Sequence, residues 1–169
     1  VVVRNTLETQ ISVFTNLSGK APSVITTGLH FLDHMLNQIV HHGGISLQIV
    51  AEGDTEVDAH HTCEDVAIAL GAAISKALGD KRGIGRYGFS LPMDESDATV
   101  RIDRGGRIDS RFDVAFTCEK IGDVPSEMFS HFFDSLAQSL KANIHIEAGG
   151  VNNQHIIEGV FKAFARCLK

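Results

Sequence analysis

Asp58-Ala59-His60-His61-Thr62-Cys63-Glu64-Asp65 places two adjacent histidines ahead of a carboxylate, and Gln154-His155-Ile156-Ile157-Glu158 keeps the same spacing near the other end of the chain. On an α-helix, residues four apart share a face. His60 with Glu64, and Gln154 with Glu158, then each point one way, while His61 and His155 turn aside by roughly a quarter of the circumference. Each segment offers donors in two directions. Two such segments facing one another could enclose two metal ions.

The flanking sequence divides into two series with the same order. In the first, Leu7, Thr9, Ile11 and Val13 alternate as a half-buried strand, with Glu8 on its opposite face. After Thr26-Thr27-Gly28, the residues Leu29, Leu32, Leu36, Ile39 and Val40 recur at helical spacing, with His30, Asp33 and His34 off the stripe. His41-His42-Gly43-Gly44 ends that helix, glycine supplying the C-terminal turn. Ile45, Leu47, Ile49 and Ala51 form a strand, and Val66, Leu70, Ala73, Ile74, Ala77 and Leu78 give the first His-His segment its helix, closed by Gly79.

In the second series, Tyr87, Phe89 and Leu91, then Ala98, Val100 and Ile102, then Phe112, Val114 and Phe116 predict three strands. Phe129, Phe132, Phe133, Leu136 and Leu140 predict a helix with His131 beside its stripe. Ile144-His145-Ile146 is a short strand, Gly149 to Asn153 a loop, and Ile157, Val160, Phe161, Phe164 and Leu168 the buried face of a last helix. His30-Phe31-Leu32-Asp33 is echoed by His131-Phe132-Phe133-Asp134. The repeated order predicts an internally duplicated α+β fold, residues 1–85 and 86–169, each half a small, mainly antiparallel sheet with helices on one face.

Composition narrows the function. Of the 169 residues, 43% are hydrophobic and 21% charged, the profile of a globular protein, and the net charge of −6 comes without a basic cluster, which argues against nucleic acid. No apolar run approaches the roughly 20 residues that span a bilayer, and no secretory signal pattern is visible. Cys63, Cys118 and Cys167 are odd in number and lack C-x-x-C spacing, which predicts reduced thiols and a cytoplasmic setting.

Sorted by direction, the donors fall into two sets: His60, Glu64, His131 and His155, and His34, His61, Gln154 and Glu158. Each draws on both halves, as pseudo-twofold pairing would require. Imidazole mixed with carboxylate suits first-row metals such as Mn, Fe, Zn, Co or Ni and disfavours Ca and Mg. His30, His41, His42 and His145 read as helix-end residues, supporting donors or substrate contacts. The glycines around Arg86 and in Gly105-Gly106-Arg107 form no phosphate-loop fingerprint, yet Arg86 and Arg107 could clamp an anion.

Taken jointly and in order, GLHFLDHML, DAHHTCEDVAIALG, KRGIGRYG, PMDES and NNQHIIEGVFKAFAR resemble imidazoleglycerol-phosphate dehydratase. The resemblance implies a ribosomal protein S5 domain 2-like fold, two Mn²⁺ ions per active site, and a hollow homo-oligomer, a 24-mer, with sites shared between subunits. It implies dehydration of imidazole glycerol phosphate to imidazole acetol phosphate in histidine biosynthesis, in the cytoplasm or, in a plant, the plastid. It assigns the metal to His34, His60, His61, Glu64, His131, His155 and Glu158, with Gln154 where the family has a second histidine. It assigns substrate contact to Glu8, His42, Arg86 and Arg107, alongside His34, His60, His61 and Glu64. A family segment with Ser and Lys that helps hold phosphate would follow the last residue of this chain.

The implied chemistry is physically coherent. The proton to be removed sits on a carbon that no carbonyl acidifies, and divalent ions on the ring nitrogens would acidify the imidazole and so ease loss of the neighbouring hydroxyl. A carboxylate must then move the carbon proton; Glu8 is the first candidate and Glu95 the second. From the residues alone, a dinuclear metallohydrolase and a non-catalytic metal-binding protein remain alternatives.

Overall fold

The computed structural model describes residues 1–169. Strands β1 (Val2–Asn5), β2 (Thr9–Asn16), β3 (Val24–Thr26) and β4 (Ser46–Gly53) and helices α1 (His30–Gly43) and α2 (His60–Leu78) form the first group of elements. The second comprises β5 (Tyr87–Met93), β6 (Ser96–Asp103), β7 (Asp109–Val114), the small hairpin β8 (Lys120–Ile121) and β9 (Val124–Pro125), α3 (Met128–Leu140), β10 (Asn143–Gly149) and α4 (Asn153–Leu168).

The two main sheets have one topology. The first is ordered β1-β2-β4-β3 and the second β5-β6-β10-β7. In each, the first three strands are antiparallel and the last pair is parallel. Strand for strand and helix for helix the chain repeats itself, and the β8–β9 hairpin is an insertion peculiar to the second copy.

Alternation places the core. Thr9, Ile11 and Val13 of β2 and Ala98, Val100 and Ile102 of β6 are buried while their neighbours face outward. The helices lie on these inner faces and join the halves, α2 packing on α3 and α1 on α4. One continuous apolar cluster results, centred on Phe129, Phe132, Phe133, Phe161 and Phe164. Phe133 packs on Phe161 with ring centroids 5.1 Å apart and on Phe164 at 5.6 Å. Each fully buried ring stabilises the fold by about 1.5–3 kcal/mol, and the first half joins the same cluster, Phe31 packing edge-on to Phe129 at 6.1 Å. Gly71 makes the α2–α3 approach possible: a Cβ there would overlap Ser139 Oγ and sit 2.9 Å from the Leu136 carbonyl oxygen.

Several local expectations need correction. Leu7 is fully exposed and Glu8 is not on a strand; both lie in the turn between β1 and β2. Thr6 breaks the alternation there, its hydroxyl accepting the N–H groups of Glu8 (3.3 Å) and Thr9 (3.0 Å). Phe116 lies beyond β7, though it still packs on the core. Ala77, near the C-terminal end of α2, is exposed. β1, β3 and the β8–β9 hairpin had no clear alternating signal because they are short or at sheet edges.

Candidate metal centres and anion pocket

Each ligand segment opens a helix, which fixes its direction. Asp58 Oδ1 accepts the N–H of His60 at 3.0 Å, and the Asn152 side chain caps α4 by accepting the N–H groups of Gln154 (2.9 Å) and His155 (3.3 Å). One turn into α2, Glu64 Oε2 lies 3.4 Å from His60 Nε2. The α2–α3 packing brings His131 to the same place, its ring centroid 5.5 Å from that of His60. On the opposite side, α1 and α4 bring His34 Nε2 to 3.9 Å from Glu158 Oε2. Gln154 lines the same groove as His34, together with His30, Phe31, Gly122 and Asp123. The pseudo-twofold thus yields two corresponding groups, His60/Glu64/His131 and Gln154/Glu158/His34.

His61 and His155, which the sequence placed with His34/Gln154/Glu158 and with His60/Glu64/His131 respectively, are not brought to those groups within the chain; each stands apart at its quarter-turn offset. The His61 ring is 5.9 Å from that of His60 and edge-on to it. His155 Nδ1 lies 2.8 Å from Glu95 Oε2 and 3.8 Å from Asp94. Glu95, in the β5–β6 turn, also accepts the N–H of Asn152 at 2.8 Å. The His155 hydrogen bond is the main reason that Glu95 is held down to about 2, and the same bond raises His155 above its ordinary value. Within a single chain, no three His, Cys, Asp or Glu side chains converge closely enough to hold an ion. The donor chemistry nonetheless fits a divalent first-row metal: two imidazoles and a carboxylate in one group, an imidazole, a carboxylate and an amide in the other, with one further imidazole standing apart from each.

Glu8 is exposed in the β1–β2 turn, the counterpart of the turn that carries Glu95, and its carboxylate makes no hydrogen bond. His42 lies in the last turn of α1. Burial lowers its pKa, and the neighbouring Lys162 cation lowers it further.

Arg86 and Arg107 meet at the end of the second sheet. They line a cavity of about 290 Å³ with Asp103, Gly105 and Asn143. Arg86 forks onto Asp103, Nη2 at 2.8 Å and Nε at 3.3 Å. That pairing holds the Asp103 carboxyl below the usual range and raises the pKa of Arg86 further. Asp103 also accepts the N–H of Gly105 at 3.1 Å, and Asn143 Nδ2 donates to the Arg107 carbonyl at 2.6 Å. The glycine turn that carries Arg107 is therefore pinned at both ends. A wholly polar cavity with two guanidinium groups suits an oxyanion.

Sequence reasoning missed three residues that hold these groups in place. Asp123, in the β8–β9 turn, caps α1 from across the molecule, accepting the N–H groups of His30 (2.6 Å) and Phe31 (3.0 Å). Asp65, buried beside Glu64, accepts Arg4 Nε at 2.7 Å and the Thr9 hydroxyl at 2.5 Å, tying the Glu8 turn to α2. Asp103 orients Arg86 as described. Only Asp65, following the His-His-x-x-Glu pattern directly, lay inside a segment singled out for its spacing.

Residues 27–168 match the family described as imidazoleglycerol-phosphate dehydratase. The chain is 55% identical over 166 residues to the histidine biosynthesis bifunctional protein HisB of Bacteroides fragilis, covering 98% of this chain and 44% of that protein. It is 53% identical over 169 residues to the protein of the same name from Spirosoma linguale, again covering 44% of it. The chain therefore spans less than half the length of these relatives. Among solved structures, imidazoleglycerol-phosphate dehydratase from Staphylococcus aureus superposes with a TM-score of 0.86 at 35% identity, covering 99% of this chain and 95% of that one. The enzyme from Pyrococcus furiosus does so with a TM-score of 0.84 at 30% identity, covering 98% and 90%. The duplicated sheets, the paired histidine segments and a match over nearly all of its length place the chain in the imidazoleglycerol-phosphate dehydratase family.

Proposed function

We propose that the chain is a metal-dependent hydro-lyase that dehydrates imidazole glycerol phosphate to imidazole acetol phosphate. The observation that carries this reading is the pair of pseudo-symmetric His/carboxylate groups, His60/Glu64/His131 and His34/Gln154/Glu158, built on one duplicated frame. These residues, with His61 and His155, would hold two Mn²⁺ ions. When bound, the ions would acidify the substrate's imidazole N–H and ease departure of the adjacent hydroxyl.

The remaining roles belong to the chain's own groups. Arg86 and Arg107 hold the phosphate in their polar cavity. Glu8 moves the carbon proton. Its exposed carboxylate is free of partners, whereas Glu95 is held near 2 by His155 and Asn152, far from the operating pH that favours a general base. His42 borders the α1–α4 side, where burial and the Lys162 cation disfavour its charged form.

Neither group by itself brings three donors close enough together to hold an ion, and His61 and His155 lie outside both. A homo-oligomer in which one copy's outward histidine completes another's site satisfies both facts. Exposed Val57 and Val151, each three residues before a ligand segment, and exposed Leu7 beside Glu8 supply apolar surface for that contact. A 24-mer follows from the resemblance, as does a cytoplasmic location; no helix is long and apolar enough to cross a membrane.

The deciding experiment incubates the Mn²⁺-loaded protein with imidazole glycerol phosphate. Dehydration yields an enolisable ketone with the phosphate ester intact. Release of inorganic phosphate would instead indicate hydrolysis, and no turnover with stoichiometric metal bound would leave a metal-binding protein without this catalysis.

A further inference from the structure

Arg104 is a buried cation that the proposed reaction does not use. It is only 4% exposed, its Nη2 donates to the Gly85 carbonyl, and its Nε has no acceptor. Burial lowers its pKa, since the charged form loses its hydration. A guanidinium in this state destabilises the fold unless an opposite charge reaches it.

A cavity of about 310 Å³ adjoins it, lined by Lys81, Ile84, Arg86, Asp103, Arg104 and Gly105. Three cations face one carboxylate there, and Asp103 is already forked onto Arg86. The excess is two positive charges. Lys81 is held in place for this, its backbone left-handed (φ 60°) and its Nζ donating to the Arg104 carbonyl at 3.0 Å. Two of its ammonium hydrogens stay free for an occupant. No member of the histidine groups lines the cavity.

We propose that this cavity binds a phosphate-sized dianion through Arg104 and Lys81, at a site adjoining the Arg86–Arg107 pocket and sharing Arg86 with it. The orphaned Nε of Arg104 and the excess of two cations over the single carboxylate in the lining are the reasons. Because Arg86 serves both cavities, an anion at Arg104 draws on the same guanidinium as one at Arg107. Free phosphate at this second site would then weaken the grip on a phosphorylated substrate. The identity of the Arg107 pocket rests on the proposed function; the existence of the Arg104 site does not.

The test is calorimetric titration of the whole metal-free protein with inorganic phosphate in low-salt buffer, with no enzymatic assay needed. The wild type should take up two phosphates per chain. Arg104→Met should take up one, and Arg107→Met should also take up one, retaining the Arg104 site. Lys81→Gln should still take up two, one of them roughly tenfold more weakly, as expected on loss of a charged hydrogen bond. Arg104→Met should also melt at a higher temperature than wild type in phosphate-free buffer, because an unpaired buried charge is gone, and should gain less on adding phosphate. An uptake that Arg104→Met leaves unchanged would overturn the proposal; a single wild-type phosphate that Arg104→Met loses and Arg107→Met retains would instead refute the Arg107 pocket. If Arg104→Met fails to fold, unchanged affinity at both sites in Lys81→Gln does the same. Acetate binding as tightly as phosphate would overturn the assignment to a dianion.

Discussion

Replacing Asp123 by alanine should loosen α1 without touching any proposed ligand. The helix begins at His30 behind Leu29, which provides no side-chain cap. Its first two N–H groups are instead accepted by the two oxygens of Asp123, at 2.6 and 3.0 Å. Losing an N-cap costs about 1 kcal/mol, and losing a negative charge at the positive end of the helix dipole costs about 0.5 kcal/mol more. For a chain of this size each kcal/mol moves the melting temperature by about 2–4 °C, so Asp123→Ala should melt about 3–6 °C lower. Asp123→Asn keeps an acceptor and loses the charge, and should fall by only about 1–2 °C. His34 lies one turn further along α1, so fraying should also weaken metal uptake at the His34/Glu158 group more than at the His60/Glu64/His131 group. Thermal unfolding followed by circular dichroism, at one fixed protein concentration in metal-free buffer, reads the first effect, and calorimetric metal titration reads the second. An alanine variant melting with the wild type would refute the reasoning, as would an asparagine variant no better than alanine.

Three further outcomes follow from other parts of the fold. Gly71→Ala should destabilise by up to about 2 kcal/mol, since overpacking costs about 1–3 kcal/mol against about 1 kcal/mol of helix propensity gained. Adding Ser139→Ala should recover only part of this, because the Leu136 carbonyl stays 2.9 Å from the new methyl; full recovery in urea unfolding would contradict the steric account. In metal-free protein, His155 should titrate above 6.5 by NMR and return towards it in Glu95→Gln. The raised His155 contributes stability below about 6.5 that is lost as pH rises through its folded value, and the lowered Glu95 contributes above about 4.5 and loses it as pH falls towards 2. The pair therefore supports the start of α4 most between these limits, and identical His155 midpoints in both proteins would rule the contact out. Finally, an imidazole nitrogen is a stronger donor than an amide oxygen to these metals, so Gln154→His should tighten the weaker of two Mn²⁺ sites and raise turnover at limiting metal. Two equally tight sites in the Gln154 protein, unaltered by the substitution, would exclude position 154 as a ligand.

Periodicity determined the helices and the central strands, and their repeated order, with the paired histidine segments, the duplication. β2, β4, β6 and β10 are each buried on one face, so their residues must alternate, and α3 and α4 bury wide phenylalanine stripes that survive any detail of packing. The i, i+4 spacing likewise determined that His60 shares a direction with Glu64, and Gln154 with Glu158, each apart from the adjacent histidine; the placing of His155 with His60 and of His61 with Glu158 is not met within one chain. Tertiary structure decided which directions meet. That α2 faces α3, and α1 faces α4, depends on Gly71 admitting close contact and on residues of both halves sharing one apolar cluster, and neither is visible in one segment's pattern. The same holds for Asp123 at the start of α1 and for Asp103 on Arg86, because a carboxylate's partner 17 or 93 positions away leaves no local trace. Glu8 marks the boundary between the two. Its alternation with Leu7 and Thr9 read as strand, but one hydroxyl, that of Thr6, captured two backbone N–H groups and made a turn. A short-range hydrogen bond outweighs a weak β preference at a sheet edge, where little burial is at stake.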